Sequence, residues 1–205
     1  MQKRTYKVNE VFYSIQGEGA RAGSANVFVR FAGCNLECDV EPGPKSPGGF
    51  ACDTEFASGR ALTTSESLDW IKKVGGACRW LILTGGEPGL QADEALVGDL
   101  HSAGYKVAVE TNGSVAVPSS IDWITVSPKV AEHTIKLSTA DEIKYVRRWG
   151  QGVPRPKCKA VHQYLSPAFD GNNINQENLQ WCIELVKANP TWKLSTQQHK
   201  NWTVQ

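Results

Sequence analysis

From residue 63 onward the chain switches repeatedly between two hydrophobic periods, and that switching restricts its fold more than any other feature. Thr63-x-x-Glu66 has the form of a capping box, opening a helix with Leu68, Ile71 and Val74 on one face, and the apolar strand Trp80 to Leu83 follows. Gln91 to Ala103 predicts a second helix closed by Gly104. Lys106 to Val109 and Trp123 to Val126 predict strands, with another around Ile143 to Val146. Asn175 to Ala188 predicts a third helix, with Leu179, Ile183 and Val186 in register and Pro190 as its stop, before a last strand at Thr191 to Ser195. Strands alternating with helices imply a mainly parallel sheet, whose ligands sit beyond the carboxyl ends of the strands.

Two further strand-like runs open the chain, Tyr6 to Ile15 and Asn26 to Ala32, around the turn-rich Gln16-Gly17-Glu18-Gly19. Three polar clusters fall at predicted strand ends: Thr84-Gly85-Gly86-Glu87-Pro88, Glu110-Thr111-Asn112-Gly113 and Ser127-Pro128-Lys129. That is the placement an α/β barrel or part-barrel needs for its active site. The 205 residues suit one domain, residues 1–205.

Charge excludes some partners. Lys and Arg total 22 against 21 Asp and Glu, a net charge of +1 with no long run of one sign. Neither direct nucleic-acid binding nor an anionic membrane surface is expected from such a balance. No stretch approaches the roughly 18 apolar residues of a membrane span, and no apolar h-region follows the basic start, so a cytoplasmic protein is expected. Its six cysteines are then reduced thiols, and clustered ones suggest metal.

Three of them share one loop. Residues 33–60 show no periodicity and include Pro42, Gly43, Pro44, Pro47, Gly48 and Gly49. Three residues separate Cys34 from Cys38, and thirteen separate Cys38 from Cys52. Three soft ligands suit zinc or an iron-sulfur cluster. Structural zinc normally takes four ligands, and no His or fourth Cys lies between Tyr13 and Cys78. Spacing alone leaves three readings open: unligated thiols, zinc completed from elsewhere, and a cubane with one open iron. Gly85-Gly86-Glu87-Pro88 adds a turn that allows close backbone approach, with one carboxylate suited to an ammonium group.

Arg30-Phe31-Ala32-Gly33-Cys34-Asn35-Leu36-Glu37-Cys38, Cys52-Asp53-Thr54 and Thr84-Gly85-Gly86-Glu87-Pro88 together resemble the radical S-adenosylmethionine superfamily. Tyr13-Ser14-Ile15-Gln16-Gly17-Glu18-Gly19 and Gln198-His199-Lys200 narrow the resemblance to the 7-carboxy-7-deazaguanine synthase family, from about Tyr13 to the last residue. It implies an abbreviated partial (βα) barrel of the radical S-adenosylmethionine type with a long cluster-binding loop. The reaction implied is ring contraction of 6-carboxy-5,6,7,8-tetrahydropterin to 7-carboxy-7-deazaguanine, with loss of ammonia and S-adenosylmethionine regenerated, in queuosine-type 7-deazapurine biosynthesis.

By that resemblance Cys34, Cys38 and Cys52 hold a [4Fe-4S] cluster, and Thr54 meets Mg²⁺. Ala51, Asp53, Gly85, Gly86, Glu87, Ser127, Pro128 and Lys129 are expected at S-adenosylmethionine. Ser166-Pro167-Ala168-Phe169 stands where the family usually shows a glutamine before a proline, so adenosyl contacts there are expected to differ. Substrate contacts implied are Ile15, Gln16, Gly17, Glu18, Arg30, Thr84, His199 and the carboxylate of Gln205. A homodimer and a reducing electron donor such as a flavodoxin are also implied. Family members commonly place the last two cysteines three positions apart, so the thirteen-residue separation here is an insertion, tolerable because loop closure cost grows slowly with length. The other readings are a radical S-adenosylmethionine activase for a partner enzyme and a non-enzymatic, zinc-stabilised binding module.

Overall fold

The computed structural model describes residues 4–204 apart from 40, 42, 45, 47–50 and 53. Asp53 and Gln205, both expected to touch ligand, therefore lie outside the described residues. In chain order the elements are β1 (Thr5–Ile15), β2 (Ala25–Phe31), β3 (Arg60–Thr63), α1 (Thr64–Gly75), β4 (Trp80–Gly85), α2 (Glu94–Ser102), β5 (Lys106–Thr111), β6 (Trp123–Val126), β7 (Thr139–Arg147) and β8 (Lys159–Pro167). The short hairpin β9 (Phe169–Asp170) and β10 (Asn173–Ile174) leads to α3 (Gln176–Ala188), β11 (Lys193–Leu194) and α4 (Gln198–Trp202).

A nine-stranded sheet runs in the order β11-β8-β7-β6-β5-β4-β2-β1-β3. It is parallel from β2 to β11, and antiparallel only where β1 meets β2 and β3. Among the described residues its two edges do not pair with each other, so the α/β barrel is partial, as the strand-helix alternation implies. No described helix is long and apolar enough to cross a membrane.

The pleat sorts the side chains. Val27, Val29, Phe31, Leu81, Leu83, Val107 and Val109 pack with Ile71 of α1 and Leu96, Val97 and Leu100 of α2. Val126, Ile143, Tyr145 and Leu165 make a second core with Cys158 and Trp192, against Leu185 and Val186 of α3. Cys182 is fully buried nearby, a core thiol. Each large apolar side chain removed from water contributes roughly 1.5–3 kcal/mol, so the helix-covered face supplies most of the hydrophobic stabilisation. Because successive strand residues point to opposite faces, Arg30, Thr84, Glu110, Thr125, Glu142 and Lys144 look the other way, onto the concave face.

The β1–β2 connection folds across that concave face. Gln16 Nε2 donates to Glu110 Oε1 of β5 (2.9 Å), Ala20 N to Glu142 Oε2 of β7 (2.7 Å) and Gly19 N to Ser195 Oγ just past β11 (3.0 Å). One turn thus spans the arc from the first strands to the last.

Capping explains the helix starts. Thr63 and Glu66 form the expected capping box, and Asn175 accepts from Asn178 N (2.9 Å) at the start of α3. The second helix begins at Glu94, later than the expected Gln91, because Asp93 is the N-cap, accepting from Leu96 N (2.8 Å). Gln91 is employed elsewhere: its side chain accepts from Lys7 N (2.6 Å) and donates to Ala32 O (2.6 Å), tying β1 to the end of β2.

Candidate active site

The cysteine loop leaves β2 at its carboxyl end and returns to the same place. Cys52 N donates to Cys38 O (3.2 Å), setting the second and third cysteines side by side. Gly33 N donates to Phe56 O (2.7 Å), and Glu55 accepts from Ala57 N (2.7 Å), Ser58 N (2.8 Å), Ser58 Oγ (2.8 Å) and Asn9 of β1. Both ends of the cysteine loop are therefore held beside β1 and β2. Thr54 stays close, with its carbonyl 3.7 Å from Cys52 Sγ.

The donor set fits an iron-sulfur cluster. Burial raises the Cys34 and Cys38 thiols above the usual cysteine range, and each also feels the charge of Cys52. Three thiols brought to one centre ionise together only against strong positive charge, which ligated iron would supply. Among the described residues no three His, Cys, Asp or Glu side chains are grouped to hold a single metal ion.

Against this loop packs the end of β4. Gly86 N donates to Phe31 O (3.0 Å) and Glu87 N to Gly33 O (3.0 Å). A Cβ on Gly86 would overlap Gly33 O, and Gly85 adopts φ +108°, so both positions require glycine. The Glu87 carboxylate, expected to meet an ammonium group, is engaged by the protein's own donors. It has no exposed surface and accepts from Thr111 Oγ1 (2.6 Å), Asn112 N (2.8 Å) and Gly89 N (2.9 Å). The Asn112 side chain donates to Asn35 Oδ1 (3.1 Å), so the end of β5 also touches the cysteine loop.

The distant ends of the sequence also meet. Gln198 N donates to Gly17 O (3.0 Å), and a Cβ on Gly17 would lie 2.6 Å from His199 N, so only glycine fits beside α4. Arg30 and Thr84 are register partners on β2 and β4, and Arg30 Nε pairs with Glu10 Oε2 at 3.4 Å. Gln16 is buried.

Beneath the turn lies a charge cluster of which Lys144 and Glu142 had no place in the sequence-derived site. Lys144 Nζ pairs with Glu18 and lies 3.4 Å from Glu110 Oε2, with Glu142 two residues back on the same strand. Glu18, expected as a substrate contact, is also the ion-pair partner of Lys144, with 13% of its side chain exposed. Burial pushes its carboxyl up, but Lys144 and a hydrogen bond from Gln197 bring it below the usual range. Burial raises Glu110 despite Lys144, and raises Glu142 to about 7. The sequence did carry a signal, since Glu110 follows the apolar run Val107–Val109 and Lys144 sits among Ile143, Tyr145 and Val146, but the sheet order that makes them neighbours is not visible from residue types.

The remaining expected residues are spread along the rim. Ser127 follows β6, its N donating to Thr111 O (2.8 Å), and Lys129 Nζ donates to Ser127 Oγ (2.9 Å). Pro128 lies between them, and Ala51 is exposed in the cysteine loop. Ser166 and Pro167 end β8, both buried. Ala168 is buried with its backbone bonded to Arg147 O (2.9 Å) and Asn178 Nδ2 (3.0 Å), and Phe169 lies under Lys200.

A three-thiol loop seated on a Gly-Gly turn, at the carboxyl ends of a parallel arc with a polar interior, defines a radical S-adenosylmethionine enzyme. No family model matches the chain. It is 38% identical over 209 residues to the 7-carboxy-7-deazaguanine synthase of Bradyrhizobium diazoefficiens, covering 96% of this chain and 98% of that one. The synthase of the same name from Burkholderia multivorans is 39% identical over 206 residues, covering 96% and 97%. The crystal structure of QueE from Escherichia coli matches with a TM-score of 0.68 over 94% of both chains, at 24% identity, a likeness of fold. The chain belongs to the 7-carboxy-7-deazaguanine synthase family, whose members are radical S-adenosylmethionine lyases.

Glu142 yields a test of the interior cluster. Its folded pKa of about 7 lies above its ordinary value of 4.5, so the native state binds the extra proton between these values and loses stability as pH rises through them. Glu142→Gln, which keeps an acceptor for Ala20 N, is expected to stabilise the protein at pH 8 by on the order of 2 kcal/mol, with no gain below about pH 4.5. Urea denaturation at the two pH values measures the difference.

Proposed function

We propose that this chain contracts the ring of 6-carboxy-5,6,7,8-tetrahydropterin to give 7-carboxy-7-deazaguanine with loss of ammonia, as a step of 7-deazapurine (queuosine-type) biosynthesis. The observation that carries this reading is the meeting of Gly17 with His199 over the concave face that also presents Arg30 and Thr84. In this reading Cys34, Cys38 and Cys52 hold the [4Fe-4S] cluster, which with bound S-adenosylmethionine supplies the radical that abstracts substrate hydrogen. Gly85, Gly86 and Glu87 contribute to the S-adenosylmethionine site through their backbone, since the Glu87 carboxylate is already engaged. Ala51, Asp53, Ser127, Pro128, Lys129 and residues 166–169 are further proposed contacts to it.

The chain's own groups bind and orient the substrate. The Nε contact to Glu10 uses one of the five N–H donors of Arg30, and the others suit the substrate carboxylate in a bidentate pair. Ile15, Gln16 and Gly17 form a wall that shields the interior from water, with Gln16 and Glu18 as polar contacts. Thr84, His199 and Gln205 are further proposed substrate contacts. Thr54 would offer its hydroxyl to Mg²⁺, a hard cation that prefers oxygen ligands and keeps several waters. A homodimer and a flavodoxin-like electron donor complete the proposal.

Anaerobically reconstituted protein given reductant, Mg²⁺, S-adenosylmethionine and the carboxy-tetrahydropterin should form 7-carboxy-7-deazaguanine, detected by mass spectrometry. Reductive cleavage of S-adenosylmethionine without that product would favour an activase. Thr54→Ala is expected to lower Mg²⁺ activation at least about fivefold while retaining wild-type iron content, because a weakly held Mg²⁺ that loses one oxygen ligand still leaves the thiolates untouched. An unchanged Mg²⁺ titration would remove Thr54 from the metal.

A further inference from the structure

We infer that Lys144 is a positioning residue for the substrate: its ammonium, seated under the Gln16–Gly19 turn, holds the Glu18 and Glu110 carboxylates in place as acceptors. The inference rests on the proposed pterin reading of this face. Exposure orders the groups. The Lys144 side chain is 7% exposed, against 13% for Glu18 and 22% for Glu110, so the ammonium lies behind and the carboxylates stand in front.

The contacts close a ring. Lys144 pairs with Glu18 and with Glu110 Oε2, Glu110 Oε1 accepts from Gln16 Nε2 (2.9 Å), and Gln16 Oε1 accepts from Glu18 N (3.2 Å). Glu142, the third carboxylate of the cluster, is bonded to Ala20 N (2.7 Å) and anchors the same turn from below. Two carboxylates side by side repel, and in a partly desolvated site they stay together only with a cation between them. An ammonium is a compact point charge with three donors, enough to serve both.

The chemistry on offer is a pair of fixed acceptors on the concave face. A tetrahydropterin presents an exocyclic amine and ring N–H groups, a donor-rich ligand for such a pair. Lys144 itself stays behind the carboxylates and acts through them. Its removal should therefore weaken binding and leave the chemical step nearly intact, the pattern of lost uniform binding.

Lys144→Met should raise KM for the carboxy-tetrahydropterin at least about tenfold with kcat within about threefold, while iron content and the S-adenosylmethionine-induced change in the reduced spectrum match wild type. Lys144→Arg, which keeps the cation, should return KM to within about threefold of wild type. Should Lys144→Met lose the wild-type circular dichroism, Lys144→Gln serves as the neutral variant. A neutral variant with wild-type KM overturns the role, as does a loss that arginine does not restore, or a fall in kcat at constant KM. Wild-type protein in the same assay separates the two claims. Its failure to form product refutes the pterin reading, whereas wild-type turnover with an indifferent Lys144 variant refutes only this assignment.

Discussion

Glu87 sits without exposed surface between the end of β4, the end of β5 and the first cysteine, and its bonds hold the three together. Its carboxylate takes donors from Thr111, Asn112 and Gly89, while its own N–H donates to Gly33 O beside Cys34. Burial raises its pKa, and those three hydrogen bonds oppose the rise. Hydrogen bonds to a charged group are worth about 1.5–3 kcal/mol each, and the same donors would be left unmet if the carboxylate were removed. The flexible cysteine loop is thereby fastened to the rigid sheet at the point where its thiols must converge. Gly85 and Gly86 permit the approach, and Glu87 makes it permanent.

A second constraint acts deeper in the arc. The β1–β2 turn is polar and glycine-rich, and alone it would be a surface turn. Here it lies over the concave face because the interior strands present Glu110, Glu142 and Lys144 to it, and because α4 packs on Gly17. Fold and site are therefore coupled. The helix-covered face supplies the hydrophobic stabilisation, while the concave face carries charges that only mutual pairing makes tolerable.

Much of this was legible in the amino-acid sequence. The strand-helix alternation, the Thr63 capping box and the placement of Gly85-Gly86 at a strand end follow from local rules, and the structure shows each. Strand β8 was not legible, because Val161 is 81% exposed and the segment mixes polar with apolar residues after a proline-rich stretch. The late start of α2 depends on Gln91 bonding across to β1 and β2, a tertiary contact that no local pattern encodes. The Lys144 cluster and the inward Glu87 were hidden for a related reason. Each depends on which face a residue takes, set by pleat and register, and on which strand lies beside it, set by sheet order.

The central claim is that the three loop thiols serve as ligands of one cluster at which S-adenosylmethionine binds. Reconstituting the wild-type chain anaerobically with iron and sulfide, reducing it and recording its EPR spectrum before and after adding S-adenosylmethionine tests that claim most directly. The account predicts about four irons per chain and a spectrum that changes when S-adenosylmethionine is added. A chain that takes up zinc and no iron, or a cluster whose spectrum is indifferent to S-adenosylmethionine, would contradict it.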